Sequence, residues 1–286
     1  MGPIVGVLFD GFAYGMLLFL LSVGLSVTLG MMNFVNLAHC AFAMLGGYVT
    51  VTLMNNMGWP FFAALPMAFL AAAVVSVVLE RTLYRRLYRA GELDQVLLTI
   101  GLTFISVAVA AYVFGTLQQP IQTPPFLRGS MNVMGVTIGI YRLFLVIMGL
   151  AVAFLLVMAL EYTRFGARVR ASVDNQRMAR GIGINVEGIF AVTFALGSGL
   201  AGLGGALAIE VVGLDPSFAF LFLVYVLIIV SVGGLGSIGG SFVAAVLIGV
   251  SDIASKYYVP QLGAFMIYLV MIVLLMWRPQ GLFGKR

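Results

Sequence analysis

An all-α polytopic membrane protein of eight or nine transmembrane helices, some broken or short, is what this sequence dictates, on three grounds. Hydrophobic residues make up 62% of the 286 and charged residues 9%, whereas a soluble domain carries roughly 25% charged residues. The mean hydropathy is +1.13, so most of the surface cannot be facing water. The apolar runs are continuous and lack the alternation over about ten residues that marks a transmembrane barrel. Helices and closed barrels are the structures that satisfy their backbone in lipid, which leaves helices.

The apolar runs, in order, are 12–29, 38–53, 61–79, 96–114, 143–160, 189–209, 218–232, 242–253 and 262–277. A crossing takes about 20 residues, so 38–53, 218–232 and 242–253 are short. They are expected to be broken, re-entrant or extended into their flanks. The opening MGPIVGVLFDG has no basic region and no clear small-residue cleavage site after its apolar run, and reads as part of a retained helix. One cysteine, Cys40, excludes an internal disulfide framework. A single transmembrane domain over 1–286 is expected.

Basic residues orient the chain. Arg81, Arg85, Arg86 and Arg89 lie in loop 80–94. Arg164, Arg168, Arg170, Arg177 and Arg180 lie in loop 161–187, and Arg278, Lys285 and Arg286 at the C-terminus. These are twelve of the fifteen Lys and Arg residues, and the bias of such residues toward cytoplasmic loops puts all three places inside. Two helices separate the first two loops, which agrees with one side for both, and an odd span count puts the N-terminus outside. The net charge of +5 follows from this bias and calls for no nucleic acid. On the outer side, loop 115–141 carries Pro120, Pro124 and Pro125, which block a helix. Alternation around Met134 and Gly135 suggests a small hairpin. This loop is either a docking surface for an external partner or an ordinary ordered connection.

Two breaks carry the functional signal. Asn33, Asn36 and His39 cluster after Gly30, at a depth where polar side chains are costly unless they face partners or a cavity. A second break runs through Gly233, Gly234, Gly236, Ser237 and Gly239. Paired interruptions of short hydrophobic segments point to a transport site, with freed backbone groups binding a small zwitterion or lining its path. The plainer alternatives are an interfacial turn for 31–39 and helix-packing glycines for the second break. Gly234-x-Gly236-x-x-Gly239 also matches a dinucleotide-binding fingerprint, but that needs a βαβ unit, and the flanks here are membrane segments. A third signal is the small-residue stripe of 195–208, which allows close helix approach, either within the chain or at a subunit seam.

The remaining polar residues suggest no chemistry. His39 is the chain's one histidine, so it has no partners for a metal cluster and reads as a hydrogen-bonded polar residue. Asp252 is expected to pair with Lys256 near the outer interface, and Glu210 and Asp215 to flank an outer turn. A nucleophile and base need a third, orienting partner, which His39 and Cys40 lack, so no catalytic set is present.

Four stretches carry a resemblance. GLSVTLGMMNFVNLAHCAFAMLGGY (24–48), RASVDNQRMARGIGINVEGIFAVTFALGSGLAGLGGAL (170–207), IIVSVGGLGSIGGSFVAAVLIG (228–249) and RPQGLFG (278–284) resemble permease subunits of the branched-chain (hydrophobic) amino-acid ABC importer family, in order and over almost the whole chain. The short N-terminus resembles the smaller, H-type subunit. The resemblance implies a multi-pass protein of a bacterial or archaeal cytoplasmic membrane with its C-terminus inside. It implies alternating access driven by two partner ATP-binding subunits, beside a second homologous permease and an external substrate-binding protein. The family's short coupling helix often reads Glu-Ala-Ala-x-x-x-Gly. Here Ala179, Gly183 and Ile184 fit, while Arg177 and Met178 depart from the pattern, which puts a specific ion pair with the ATPase in doubt. With Arg170 and Asp174 these form the expected coupling surface, and Gly183 permits a left-handed helix end.

No Gly-x-x-x-x-Gly-Lys-Ser/Thr occurs, so ATP is expected to be bound by the partners and the chain to need no cofactor of its own. Branched-chain or other hydrophobic amino acids are the expected cargo; amides, urea and aromatic acids remain open. An ion-coupled secondary transporter is the alternative of another class. It would need a membrane-level carboxylate or unwound carbonyls for its ion, and Asp252 is the one acidic candidate.

Overall fold

The computed structural model describes residues 2–32, 34, 36–87, 90–133 and 136–284. Asn33, Arg89, Met134, Gly135, Lys285 and Arg286, all singled out above, lie outside the described residues. The described chain is predominantly helical, and six helices are long and apolar enough to cross a membrane.

The first, α1 (Gly2–Met32), begins ten residues before the expected run. It is the central post: Met16 to Leu21, Val23 and Leu25 are fully buried. After residues 33–38, α2 (His39–Val51) follows, and a wider π-type turn carries it on to Asn56. The short second run is therefore extended at its far end, as one of the sequence alternatives allowed. The helix α3 (Phe61–Leu79) continues through a similar π turn into the single turn α4 (Arg85–Leu87). Next come α5 (Glu92–Phe114) and, after loop 115–139, α6 (Ile140–Glu161). That loop holds a turn at Pro125–Leu127 and two antiparallel strands, β1 (Ser130–Val133) and β2 (Val136–Gly139), in register Val133 opposite Val136. Two short helices, α7 (Arg164–Asp174) and α8 (Gln176–Gly181), lead to α9 (Val186–Val212). The chain closes with α10 (Phe218–Gly233), α11 (Ile238–Tyr258) and α12 (Gly263–Trp277). Thus α11 is longer than its apolar run, because Ser241, Ser255 and Lys256 extend it with polar residues.

Small residues set the packing, as expected where lipid removes the hydrophobic drive between helices. On α1, a Cβ at Gly11 would come within 2.6 Å of Val250 Cα and one at Gly15 within 2.9 Å of the Ala245 carbonyl. Gly30 meets Gly236, so α1 and α11 run antiparallel along their whole length. The small-residue stripe on α9 packs inside the chain: Gly197 on Gly24 of α1, Gly205 on Ala43 and Gly202 on Gly46 of α2, and Gly202 on Ala68 and Ala72 of α3. Outside this core α5 is the least enclosed of the six long spans, 17% buried against 78% for α9.

Candidate functional site

The segment between α6 and α9 folds because its polar side chains cap three successive helices. Thr163 accepts from Gly166 N at 3.3 Å, Asn175 from Met178 N at 3.0 Å and Asn185 from Gly188 N at 2.9 Å. Such caps satisfy helix-start amides that have no partner within the helix. Helix α8 ends at Gly183, φ +86°, with Ile184 N bonded to the Ala179 carbonyl at 3.0 Å, the left-handed glycine end the sequence suggested. Ala179 is buried with Val186 and Phe190, and Ile184 packs on them. That small core seats α8 on the start of α9 while Met178 and Ile182 stay 67% and 74% exposed.

Arg170 of α7 donates to the Leu160 carbonyl in the last turn of α6. A cation there is favoured by the helix dipole. A crevice of about 1170 Å³ opens beside it, lined by Arg170, Asp174, Glu161, Gly236, Ser237 and Gly239 among others. This is where the structure brings members of the two expected sets together: Gly236, Ser237 and Gly239 from the second break, Arg170 and Asp174 from the coupling surface. Gly234 and Gly236 have φ +96° and +78°, and Ser237 caps α11 by accepting from Gly240 N at 3.0 Å. Gly233 lies against Gly240. The C-terminal tail closes over the break, Leu282 N bonding to the Val232 carbonyl at 2.7 Å and Phe283 N to that of Gly233 at 3.2 Å.

Asn36 and His39 stand at another depth. His39 Nε2 contacts the Leu21 carbonyl at 3.0 Å, nine residues up α1 from Gly30, or about 13 Å along a helix axis. Asn36 Oδ1 accepts from Ala38 N at 3.1 Å, and the next peptide is stapled to α5: Leu37 N donates to Thr99 Oγ1 at 3.1 Å and Thr103 Oγ1 to the Leu37 carbonyl at 3.2 Å. Asn36 Nδ2 and His39 Nδ1 are buried and unpartnered among the described residues. Asn33 belongs to the same break and lies outside the described residues. Asp252 is fully buried and pairs with Lys256 at 2.6 Å, in line with the expected pairing.

Arg177, Arg180 and Asp174 are exposed on α7 and α8. Glu187 at the start of α9 pairs with Arg85 on α4 and lies 4.0 Å from Arg180. This tie between the two arginine-rich loops was missed in the sequence, as were the tail's bonds to α10. Opposite charges at 85 and 187 were the one available signal, at a separation no local pattern reaches.

Residues 7–275 match the family of branched-chain amino acid transport system permease components. The chain belongs to that family. It is 26% identical to the high-affinity branched-chain amino acid transport system permease protein BraD of Pseudomonas aeruginosa, over 97% of this chain and 95% of that protein. It is 28% identical to the probable branched-chain amino acid transport permease protein LivH of Methanocaldococcus jannaschii, over 95% and 90%. To the permease protein LivM of Escherichia coli it is 27% identical over 93% of this chain, but over only 68% of that longer relative.

Proposed function

We propose that this permease is a membrane subunit of an ATP-driven importer for branched-chain or other hydrophobic amino acids, in a bacterial or archaeal cytoplasmic membrane. Two partner ATP-binding subunits engage α7 and α8, a second homologous permease completes the membrane unit, and an external binding protein delivers cargo. The six long spans, α10, α12 and the π-extended α2 make nine crossings, with the N-terminus outside and the C-terminus inside. A push on α7 reaches the transmembrane core by two routes. One runs through Arg170 to the end of α6; the other crosses the crevice to the second break and its Gly30 contact on α1.

The observation that carries this reading is the α8 turn: a helix seated on α9 by buried Ala179, ended by Gly183, with Met178 and Ile182 exposed for a partner. A Cβ at Gly183 meets nothing within 4 Å, so a substitution there strains only the local backbone. Left-handed φ at a β-branched residue costs roughly 1–3 kcal/mol. Gly183→Val is expected to leave the subunit inserted in the membrane but to weaken co-purification of the ATPases and abolish uptake. Undiminished co-purification and uptake would remove the coupling role.

A further inference from the structure

A second cavity, of about 210 Å³, lies between α2, α3 and α5. Ala41 and Leu45 of α2, Leu79 of α3, and Leu102 and Ala110 of α5 give it apolar walls, and no charged side chain lines it. Two phenols flank it: Tyr48, stacked on Phe114 with centroids 4.2 Å apart, and Tyr84, edge-on to Phe194 at 5.1 Å. Both hydroxyls are buried and unpartnered among the described residues. The most exposed lining residues are Val75 of α3 and Val109 of α5, 39% and 56% exposed, so the mouth opens sideways between two spans.

Size and chemistry restrict the occupant. At about 30 Å³ per water the cavity has room for roughly seven waters, yet a mostly apolar enclosure holds water poorly. A whole zwitterion would lose its hydration with no charge to replace it, a prohibitive cost in such surroundings. A saturated hydrocarbon group of a few carbons fits without that penalty, provided its polar head stays outside the cavity. Behind the cavity stands the first break: Ala38 lines the wall two residues from Asn36. The helix that forms the outer wall, α5, is the least enclosed of the six long spans and is held to that break through Leu37.

We infer that this cavity is a selectivity pocket, taking the aliphatic side chain of the transported amino acid as it passes the α3–α5 face, with the second permease closing the mouth. The inference rests on the importer reading above and adds to it the place where side-chain size is read. The shared chemistry, a short hydrocarbon group, has a second source in the acyl tail of a membrane lipid, and the test separates the two.

The complete transporter is reconstituted in proteoliposomes with its ATPases and binding protein, and ATP-driven uptake of alanine, valine, leucine and phenylalanine is compared. Ala110→Leu fills the pocket and is expected to lower leucine uptake relative to alanine by about tenfold, the scale of discrimination that one or two methylenes supply in an apolar pocket. Leu102→Ala enlarges it and is expected to shift the ratio toward phenylalanine, which keeps the test alive if the filled variant does not fold. Equal loss for all four amino acids in both variants overturns the proposal, as does an unchanged ratio. A ratio that stays fixed while activity follows lipid acyl length assigns the cavity to lipid and overturns it also. Failure of the unsubstituted transporter to move any of the four would sink the importer reading itself.

Discussion

Asn36 ties a backbone role to the proposed pathway in one side chain. Its Oδ1 holds the Ala38 amide, while Nδ2 is buried without a partner among the described residues. A buried donor left unmade costs about 1–3 kcal/mol, and such a cost persists in a protein where something else uses the group; on the proposed pathway that would be a solute or its water. Asn36→Leu removes both atoms. The lost acceptor leaves the Ala38 amide unpaired at about 1–3 kcal/mol, but removing the unmade donor returns a similar amount, so the melting temperature in detergent is expected to change little, with the complex still assembling in the membrane. Uptake is expected to fall much further than the amount of assembled complex. Transport at the unsubstituted level would retire Asn36 as part of the pathway. His39, beside it, is held through Nε2 to Leu21, which is the hydrogen-bonded role its solitary presence in the sequence suggested.

At the scale of elements, the stretch 161–187 divides what the sequence reveals from what it hides. Thr163, Asn175 and Asn185 are helix-start residues by type, and Gly183 is a helix-end residue, so the two-helix elbow was encoded locally. The elbow's attachment was not. Arg170 reaches Leu160 across ten positions and Glu187 reaches Arg85 across 102, and only tertiary packing brings such residues together. The second break reads the same way: its glycines were plain in the sequence, but their partners on Gly30 and on the tail were not.

The Arg85–Glu187 pair is half exposed on both sides, where an ion pair contributes roughly 0–1 kcal/mol. Its removal is therefore expected to leave melting almost unchanged while loosening the two inner loops from each other. Arg85→Glu should reduce uptake, and Arg85→Glu with Glu187→Arg should restore it. A double variant no better than the single one would show that the pair does not link the loops.

For the whole molecule, composition and the unbroken apolar runs together identified a helical membrane protein, because only helices and closed barrels satisfy their backbone in lipid and the runs lack a barrel's alternation. They did not reveal which helices stand in the middle. α1 and α9 do, and the reason is the glycines that let α2, α3 and α11 approach them backbone to backbone. The sequence marked the stripe on α9 without showing that its partners are internal. Neither did hydropathy show that the short run after the first break continues through a π turn to Asn56. Orientation is the global property on which the coupling scheme depends, and the structure makes it directly testable. The native Cys40 is fully buried, so a membrane-impermeant thiol reagent should give little background. Arg168 on α7 and Gln122 in loop 115–139 are exposed at opposite ends of the molecule. In intact cells Gln122→Cys is expected to be labelled and Arg168→Cys protected. Opening the membrane should make Arg168→Cys reactive. Labelling of Arg168→Cys in intact cells would put the arginine-rich elbow outside, beyond the reach of any cytoplasmic ATPase, and neither proposed route, through Arg170 to the end of α6 or across the crevice to the second break, would have anything to drive it.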